Sequence, residues 1–445
     1  MRITENEMQM IEKEISRPKL YKRRWAMLFM FFISCPFSTV QWSQYIIVAD
    51  IIRVYYNVSF EAVNWTSMIF SLLFAILVFP SSYIVDKYGI KLAILIGNFG
   101  TCVATWIKVG SIAPNRFWII ILAQTIAAAS QVLLFSVPVK LAANWFGSNE
   151  VSTACAIGFS SIMVGSALGF VLPPLLIKAE TIEHDLFITS LVLAILCTIV
   201  FFLTLLFMQN KPPIPPSYAM LQKSSHVYYL ETAKMLLKNW PYLIITLGIA
   251  LNMGINTALE TLLNQVVLKY HPGAAEDVGW IGLLMVVVGI FGGLFGGYIL
   301  DKFKIYQVFA VILSACSFAT ILIFTCTIRT NIVFLYVTYA LIGFCFNAFW
   351  FLGFQIVAEV TYPEPEAITL GIVKATGQAL SIGVTYIYSA IFYNVNDRFA
   401  NILLLVLTAI LFLIMTFTPF HLKRQAAELE KTLDQASVGF ENSKL

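Results

Sequence analysis

Twelve apolar stretches, each about as long as a bilayer is thick, run along this chain of 445 residues. A helix needs about 20 apolar residues to cross the hydrocarbon core, and a backbone in lipid must satisfy its own hydrogen bonds. These stretches are therefore predicted to be membrane-spanning helices. The predicted spans, numbered 1 to 12 in order, are 24–49, 63–85, 91–109, 117–142, 152–177, 186–208, 240–268, 277–299, 305–327, 331–357, 366–392 and 399–420.

A short charged sequence occurs twice, about half the chain apart. Residues 83–88 read YIVDKY and residues 298–303 read YILDKF, so that Asp86 and Asp301 are 215 positions apart. A membrane unit repeated in the same direction is typical of secondary transporters, which bind their substrate near the bilayer midplane between two halves. The predicted fold class is therefore an all-α membrane protein of twelve transmembrane helices in two six-helix bundles.

The stretch between the two halves differs from both of them in composition. Residues 209–239 begin with the proline-rich segment KPPIPP and continue as a polar amphipathic sequence, which indicates a linker. The predicted organisation is an N-terminal tail at 1–23, a first bundle at 24–208, this linker, a second bundle at 240–420 and a C-terminal tail at 421–445.

Lysines and arginines determine the predicted orientation. Of the 28 in the chain, twenty lie in the tails and even-numbered loops, seven lie in the odd-numbered loops, and Lys374 lies inside span 11. Lys108 is counted as one of the seven loop residues. Positive residues are enriched on the cytosolic side, so both tails and the linker are predicted to be cytosolic. We expect a monomeric, multi-pass protein of the plasma membrane without a cleavable signal peptide.

Two glycosylation sequons lie near the first predicted external loop. Asn57-Val58-Ser59 falls within that loop, so Asn57 is a candidate glycosylation site, and the alternative is that it carries no sugar. The second sequon, Asn64-Trp65-Thr66, lies too close to span 2 to be expected to carry one.

The repeated motif places a carboxylate at a predicted cytosolic helix end in each half. Such a carboxylate can cap a neighbouring helix N-terminus or bind a cation at the domain interface. We expect its partners in the first turns of spans 5 and 11, and the alternative is that the charges only fix the topology. The residues assigned to this gating motif are Asp86, Lys87, Asp301, Lys302, Glu150 and Glu366.

The doubled motif resembles the loop motif of the major facilitator superfamily. Five further blocks resemble the feline leukaemia virus subgroup C receptor family of haem and choline/ethanolamine transporters: 40–45 (VQWSQY), 106–111 (WIKVGS), 145–156 (WFGSNEVSTACA), 261–265 (TLLNQ) and 352–364 (LGFQIVAEVTYPE). The resemblance implies alternating access, a small-molecule substrate (choline, ethanolamine or haem) and a motif that holds the outward-facing state and breaks during rocking.

Polar and aromatic side chains inside the spans are candidates for the substrate site, because such groups are costly in a membrane and are usually functional. The candidate substrate-binding residues are Trp42, Gln41, Tyr45, Gln131, Met163, Asn256, Thr257, Trp350 and Gln378. Cation–π attraction makes Trp42 the best candidate for binding a quaternary ammonium. The resemblance implies a choline-contacting role for Trp42 and a cavity-facing role for Gln378.

Other functions for these residues stay open. Trp42 can be an interfacial belt residue, and Gln378 can make a bond between helices. This sequence also departs from the family, with Thr257 at a tyrosine position and Met163 at a glutamine position. Losing a ring should weaken cation binding, although Met163 is polarizable enough to contact a methylammonium group. Lys374 would repel a cation.

Cofactor and metal chemistry has little support in the sequence. The histidines are His184, His226, His271 and His421, and all four fall in loops or at helix ends, so no predicted span offers a histidine to haem at the midplane. This disfavours a tightly ligated haem but not the passage of one. We expect no cofactor, no metal site, no nucleic-acid partner and no enzyme, since HExxH and GxSxG are absent.

The leading functional hypothesis is a uniporter of choline-like or ethanolamine-like cations. No carboxylate lies in the middle of spans 1, 4 or 5, where proton-coupled transporters need a titratable group. Glu260, near the outer end of span 7, is a candidate attractor for cations. A haem exporter of the same fold is the alternative, and a non-transporting membrane receptor or sensor is the alternative from another class.

Overall fold

The computed structural model of this protein describes residues 19–147, 150–214, 216, 229–303, 305–362, 364, 366–420 and 422–423. Within these residues every regular element is helical, and the predicted all-α class is confirmed. The chain divides into two compact units between residues 226 and 227, a point inside the predicted linker.

The first unit contains eight helices. They are α1 (Arg23–Ser43), α2 (Ala49–Tyr56), α3 (Phe60–Tyr88), α4 (Ile90–Val109), α5 (Phe117–Phe135), α6 (Pro138–Trp145), α7 (Val151–Leu176) and α8 (Ile182–Phe207) among its described residues. The described part of the second unit also contains eight, which are α9 (Tyr229–Leu236), α10 (Trp240–Thr261), α11 (Leu263–Tyr270), α12 (Ala275–Phe303), α13 (Tyr306–Thr327), α14 (Ile332–Thr361), α15 (Glu366–Asn394) and α16 (Asp397–Phe417).

Twelve spans in the described residues are long and apolar enough to cross a membrane, which confirms the predicted number. Spans 1 to 6 are α1–α2, α3, α4, α5–α6, α7 and α8, and spans 7 to 12 are α10, α12, α13, α14, α15 and α16. Below, the end of each unit with the odd-numbered loops is called the predicted external end, and the opposite end the predicted cytosolic end.

Two boundaries differ from the prediction by about seven residues, one in each direction. Span 1 continues to Tyr56 through a short 3₁₀ turn at Ile46–Val48, beyond the predicted end at residue 49. Span 7 ends at Thr261, since the chain turns at Leu262 and resumes as α11. The predicted limit of 268 joined two helices whose apolar residues are nearly continuous.

Close helix contacts hold the first unit together, and small residues permit them. Spans 1 and 5 approach so closely at Gly165 that a β-carbon there would lie 2.7 Å from Cα of Pro36. Spans 2 and 3 are joined by Gly89, whose φ of +88° is one that glycine adopts without strain. The contact at Gly165 holds span 1 directly against span 5.

Candidate functional site

The polar residues of span 1 form a buried network in the first unit. Gln41 is fully buried; its Oε1 atom accepts a hydrogen bond from Lys108 Nζ at 2.9 Å, and its Nε2 atom donates to the Phe37 carbonyl at 3.2 Å. Gln124 Nε2 donates to the Gln41 carbonyl at 2.9 Å and to the Thr66 carbonyl at 3.1 Å. The network joins spans 1, 2, 3 and 4, so Gln41 acts in it as a positioning residue.

The structure places Lys108 inside span 3, within the predicted bounds 91–109, although the charge count treated it as a loop residue. It lies in the last turn of the helix, with 1% of its surface exposed. Its ammonium group is 5.3 Å from the ring centroid of Tyr45, which is also buried. A long side chain at a helix end can reach polar partners within the protein, and Gln41 provides that partner. Leaving Lys108 out of the predicted count still gives six against twenty, so the predicted orientation is unchanged.

Trp42 and Met163 keep accessible surface among the candidates of the first unit. Trp42 is half-buried, and its ring meets that of Phe170 edge to face at a centroid distance of 6.1 Å. Met163 on span 5 is half-buried, whereas Gln131 is 6% exposed and donates to the Ser38 carbonyl at 3.5 Å. The side chains of Trp42 and Met163 are therefore more accessible to a solute than those of the buried candidates, which are Gln41, Tyr45 and Gln131.

One face of span 7 carries polar groups in the second unit. Asn256 and Glu260 are one helical turn apart and half-buried, and Asn256 Nδ2 donates to Glu260 Oε1 at 3.0 Å. The Oδ1 atom of Asn256 is buried and has no hydrogen-bond partner among the described residues. Thr257, next along the chain, is half-buried. Span 7 thus offers an unused acceptor beside a carboxylate.

The candidates in spans 10 and 11 include an aromatic cluster. The Trp350 ring lies 5.1 Å from that of Phe351 and 4.7 Å from that of Phe354. The Lys374 ammonium lies 5.2 Å from the Phe354 centroid, so a cation of the protein itself already contacts this cluster. The side chain of Gln378 is half-buried and makes no hydrogen bond within the described part of the chain.

The gating motif of the first unit has a partner that the sequence does not predict. Asp86 forms an ion pair with Lys140 of α6. Glu150, which was expected near Asp86, instead contacts Arg24 of span 1, with Nη2 3.0 Å from Oε1 and 2.9 Å from Oε2. Lys140 is 54 positions from Asp86 and Arg24 is 126 positions from Glu150. Separations of this size leave no periodic signal that could have revealed the pairs.

The lysines of the two motif copies have matching surroundings. Lys87 Nζ lies 5.3 and 5.4 Å from the ring centroids of Tyr83 and Tyr88. Lys302 lies 5.7 and 5.4 Å from the centroids at the equivalent positions, Tyr298 and Phe303. The side chains of Asp301 and Glu366 lie outside the described residues, so their role in the motif stays a prediction.

Two further observations concern sites at the predicted external end. Asn57 is exposed and ends α2 with φ of +52°, a conformation that asparagine tolerates. In the second unit, Asp397 accepts hydrogen bonds from Arg329 at 2.7 Å and from Tyr270, and burial raises the pKa of Tyr270. This cluster ties three loop regions of the second unit together. No group of three or more His, Cys, Asp or Glu able to hold a metal occurs in the described segments.

The chain is similar to known membrane transporters. The sequence profile of the Major Facilitator Superfamily matches residues 27–392. An uncharacterized transporter of that type from Caenorhabditis elegans is 37% identical over 426 residues, which is 94% of this chain and 73% of that protein. The choline/ethanolamine transporter flvcr2a of Danio rerio is 34% identical, covering 94% of this chain and 90% of its own length, and FLVCR2 of Homo sapiens is 30% identical, covering 94% and 81%.

A solved structure shares the fold. The crystal structure of a bacterial homologue of the human lysosomal transporter Spinster, described as inward-facing and unoccupied, superposes with a TM-score of 0.69. It is 14% identical and covers 90% of this chain and 98% of that one. At this identity the likeness shows the fold alone.

Proposed function

This chain belongs to the major facilitator superfamily, and we propose that it transports choline-like or ethanolamine-like cations across a membrane by alternating access. Its curated relatives named above as choline/ethanolamine transporters match it over most of their length. The observation in this chain that carries the proposal is the half-buried ring of Trp42, held edge-on by Phe170. A partly desolvated tryptophan face attracts an organic cation by about 1–2 kcal/mol.

Choline and ethanolamine also carry a hydroxyl group that needs a hydrogen-bond partner. The unsatisfied Oδ1 atom of Asn256 is an acceptor for a hydroxyl proton, and the neighbouring Glu260 carboxylate attracts positive charge. Gln378, which makes no hydrogen bond within the described residues, is a further polar candidate. Within the second unit, Asn256 is thus the candidate acceptor for the hydroxyl group, and Glu260 is a candidate attractor for the cation.

Thr257 and Met163 distinguish this chain within the proposal. A threonine has no aromatic ring. We therefore expect the cation to contact one aromatic ring fewer than it would with a tyrosine at position 257. A primary ammonium, as in ethanolamine, gains more from hydrogen-bond acceptors and less from ring faces than the quaternary ammonium of choline does. We therefore propose that ethanolamine is transported at least as well as choline.

The driving force in this proposal is the substrate gradient together with the membrane potential. An inside-negative potential favours the entry of one positive charge by about 2.3 kcal/mol per 100 mV. Choline keeps its charge at every physiological pH, so at saturating choline a uniporter should reach the same maximal uptake rate at external pH 6.5 and 8. Choline uptake that follows an imposed pH gradient at constant membrane potential would contradict uniport.

Haem export is the weaker alternative. His184 lies in the first turn of span 6, and His271 follows α11, so neither is near the middle of a span. No observation in the described structure favours porphyrin over a small cation. A receptor that transports nothing is distinguished by the absence of flux.

The test is uptake of radiolabelled choline, ethanolamine and a haem analogue by choline-uptake-deficient cells. Trp42→Ala should reduce choline uptake about tenfold at equal surface expression, since about 1.4 kcal/mol corresponds to a factor of ten, and Trp42→Phe should retain part of it. Trp118→Ala is the matched control, because Trp118 is a 66% exposed tryptophan of span 4 and should behave as wild type. Equal choline uptake by Trp42→Ala and by the Trp118→Ala control would rule out Trp42 as a substrate-binding residue. The absence of choline and ethanolamine flux in the wild type would rule out the proposed function.

A further inference from the structure

A cavity of about 500 Å³ lies within the first unit, among spans 1, 3, 5 and 6. None of the nine candidate substrate-binding residues lines it. Its walls are mostly aliphatic, from residues 168–177 of span 5 and its end and from residues 188–196 of span 6, and Lys108 of span 3 lies at its predicted external end. The cavity is therefore distinct from the candidate substrate site.

The cavity opens towards the region that lipid fills around a membrane protein. Its lining residues on span 5 include Leu168, Leu172 and Leu176, which are 40%, 39% and 49% exposed. On span 6, Val192 and Leu196 are 49% and 40% exposed. Exposed leucines and valines on two membrane spans are typical of a surface that faces hydrocarbon, so we expect a molecule in the bilayer to enter from the side.

The apolar wall has the depth of one leaflet. It runs along span 6 from Asp185, in the first turn, to Leu196, and at about 1.5 Å per residue this is about 17 Å. Half of a hydrocarbon core of about 30 Å is about 15 Å. A single acyl chain that starts at the membrane surface therefore matches this wall in length.

The buried lysine at one end of the cavity, Lys108, has no ion-pair partner among the described residues. Lys108 is 1% exposed and has three donors, yet within the described residues it makes one hydrogen bond, to neutral Gln41, and no ion pair. Burying an ammonium group without an opposite charge is costly. Because Lys108 lines the cavity, a negatively charged group beside it would offset that cost.

The same end also carries a carboxylate. Asp185 Oδ2 accepts hydrogen bonds from Thr181 Oγ1 at 2.6 Å and from the Lys178 backbone at 3.1 Å, and Oδ1 lies 3.6 Å from His184 Nδ1. This fixed negative charge disfavours a purely anionic ligand such as a free fatty acid. It suits a head group that carries both signs.

We propose that this cavity binds one acyl chain of a zwitterionic glycerophospholipid from the adjacent leaflet, with the lipid phosphate on Lys108. The head-group ammonium then lies towards Asp185, and the second acyl chain remains in the bilayer. Lateral opening, leaflet-length walls and a buried lysine without an ion-pair partner all favour this occupant over a soluble one.

The test measures dioleoylphosphatidylcholine retained by the purified full-length protein in native mass spectrometry. Lys108→Met should reduce the lipid-bound fraction at least fivefold, and Lys178→Met, which removes an exposed lysine at the same end, should leave it unchanged. Dioleoylglycerol has the same chains without the phosphate, and it should bind the wild type at least fivefold more weakly and respond to neither substitution. Equal retention of phosphatidylcholine by wild type and Lys108→Met would overturn the proposal, as would complete displacement of the lipid by equimolar oleate.

A second variant tests the cavity without touching the buried network. Leu193 of span 6 lines the cavity. Leu193→Trp would fill the space proposed for the acyl chain and leave Lys108 and Gln41 in place. This variant should elute as wild type in size-exclusion chromatography and lose at least fivefold in bound lipid. A folded Leu193→Trp protein with wild-type lipid retention would overturn the proposal even if Lys108→Met fails to fold.

Discussion

The Asp86 carboxylate of span 2 is paired with the Lys140 ammonium of α6, the short helix after the break in span 4. Both groups are partly exposed, at 44% and 25% of their side chains. An ion pair with this exposure contributes up to about 1 kcal/mol. That is enough to change the balance between two transport conformations about fivefold, and it is little compared with the stability of a folded bundle.

Removing either member of this pair should therefore alter transport more than stability. Asp86→Asn and Lys140→Met should each change the choline uptake rate two- to fivefold with a melting temperature close to wild type. The exchanged variant Asp86→Lys/Lys140→Asp should recover part of the loss. Lys211→Met, which removes an exposed lysine before the second unit, is the control. If the effects of the two substitutions on the uptake rate simply add in Asp86→Lys/Lys140→Asp, the pair has no role in gating.

The contact of Arg24 with Glu150 should matter for stability. The Arg24 side chain is 13% exposed and also lies 5.6 Å from the Phe146 ring centroid. Glu150→Gln leaves a largely buried guanidinium without its carboxylate, at a cost of about 1–3 kcal/mol. We expect a melting temperature several degrees below wild type in detergent. Arg23→Gln removes the charge of the exposed neighbouring arginine and should have no effect, and a matching loss there would show that the effect is not specific to the Arg24–Glu150 contact.

The sequence predicted the number and class of the spans because apolar length is a local property. It also predicted the doubled motif, since a repeat is visible without a structure. It placed Lys108 within span 3 but counted its charge with the loops, because nothing local shows that the side chain is buried against Gln41, 67 positions away. The break before α6 did have a local signal, Pro138, which removes a backbone donor. The ion pairs Asp86–Lys140 and Glu150–Arg24 depend on tertiary packing and had no local sequence signal.

Close packing of spans 1 and 5 predicts a large effect at Gly165. A β-carbon there would lie 2.7 Å from Cα and 2.8 Å from the carbonyl oxygen of Pro36, and backbone atoms cannot move aside cheaply. Gly165→Ala should destabilise the first unit by about 1–3 kcal/mol and lower the yield of monodisperse protein. Gly383→Ala is the matched control in span 11, since nothing lies within 4 Å of the added carbon. Equal yields and melting temperatures of the two variants would contradict this packing.

Glu260 should determine substrate affinity through its charge. Glu260→Gln keeps the hydrogen-bonding shape beside Asn256 and removes the negative charge, so the KM for choline should rise three- to tenfold with little change in maximal rate. Glu276→Gln, at an exposed glutamate in the first turn of span 8, is the control. An unchanged KM in Glu260→Gln, measured at 150 mM salt, would exclude a direct or vestibular role for this carboxylate.

The two sequons near span 2 should behave differently because their exposure differs. Asn57 is exposed at the end of α2, whereas Asn64 lies inside α3 and is 2% exposed, which leaves no room for a sugar. In mammalian cells the wild type should shift in electrophoresis after glycosidase treatment, Asn57→Gln should abolish the shift, and Asn64→Gln should preserve it. Only a residue on the luminal side during synthesis can be modified, so the shift also tests the orientation derived from the lysine and arginine count. A mobility shift that persists in Asn57→Gln, or the absence of a shift in the wild type, would count against Asn57 as the glycosylation site. A sugar on an asparagine engineered into the linker would contradict the predicted orientation.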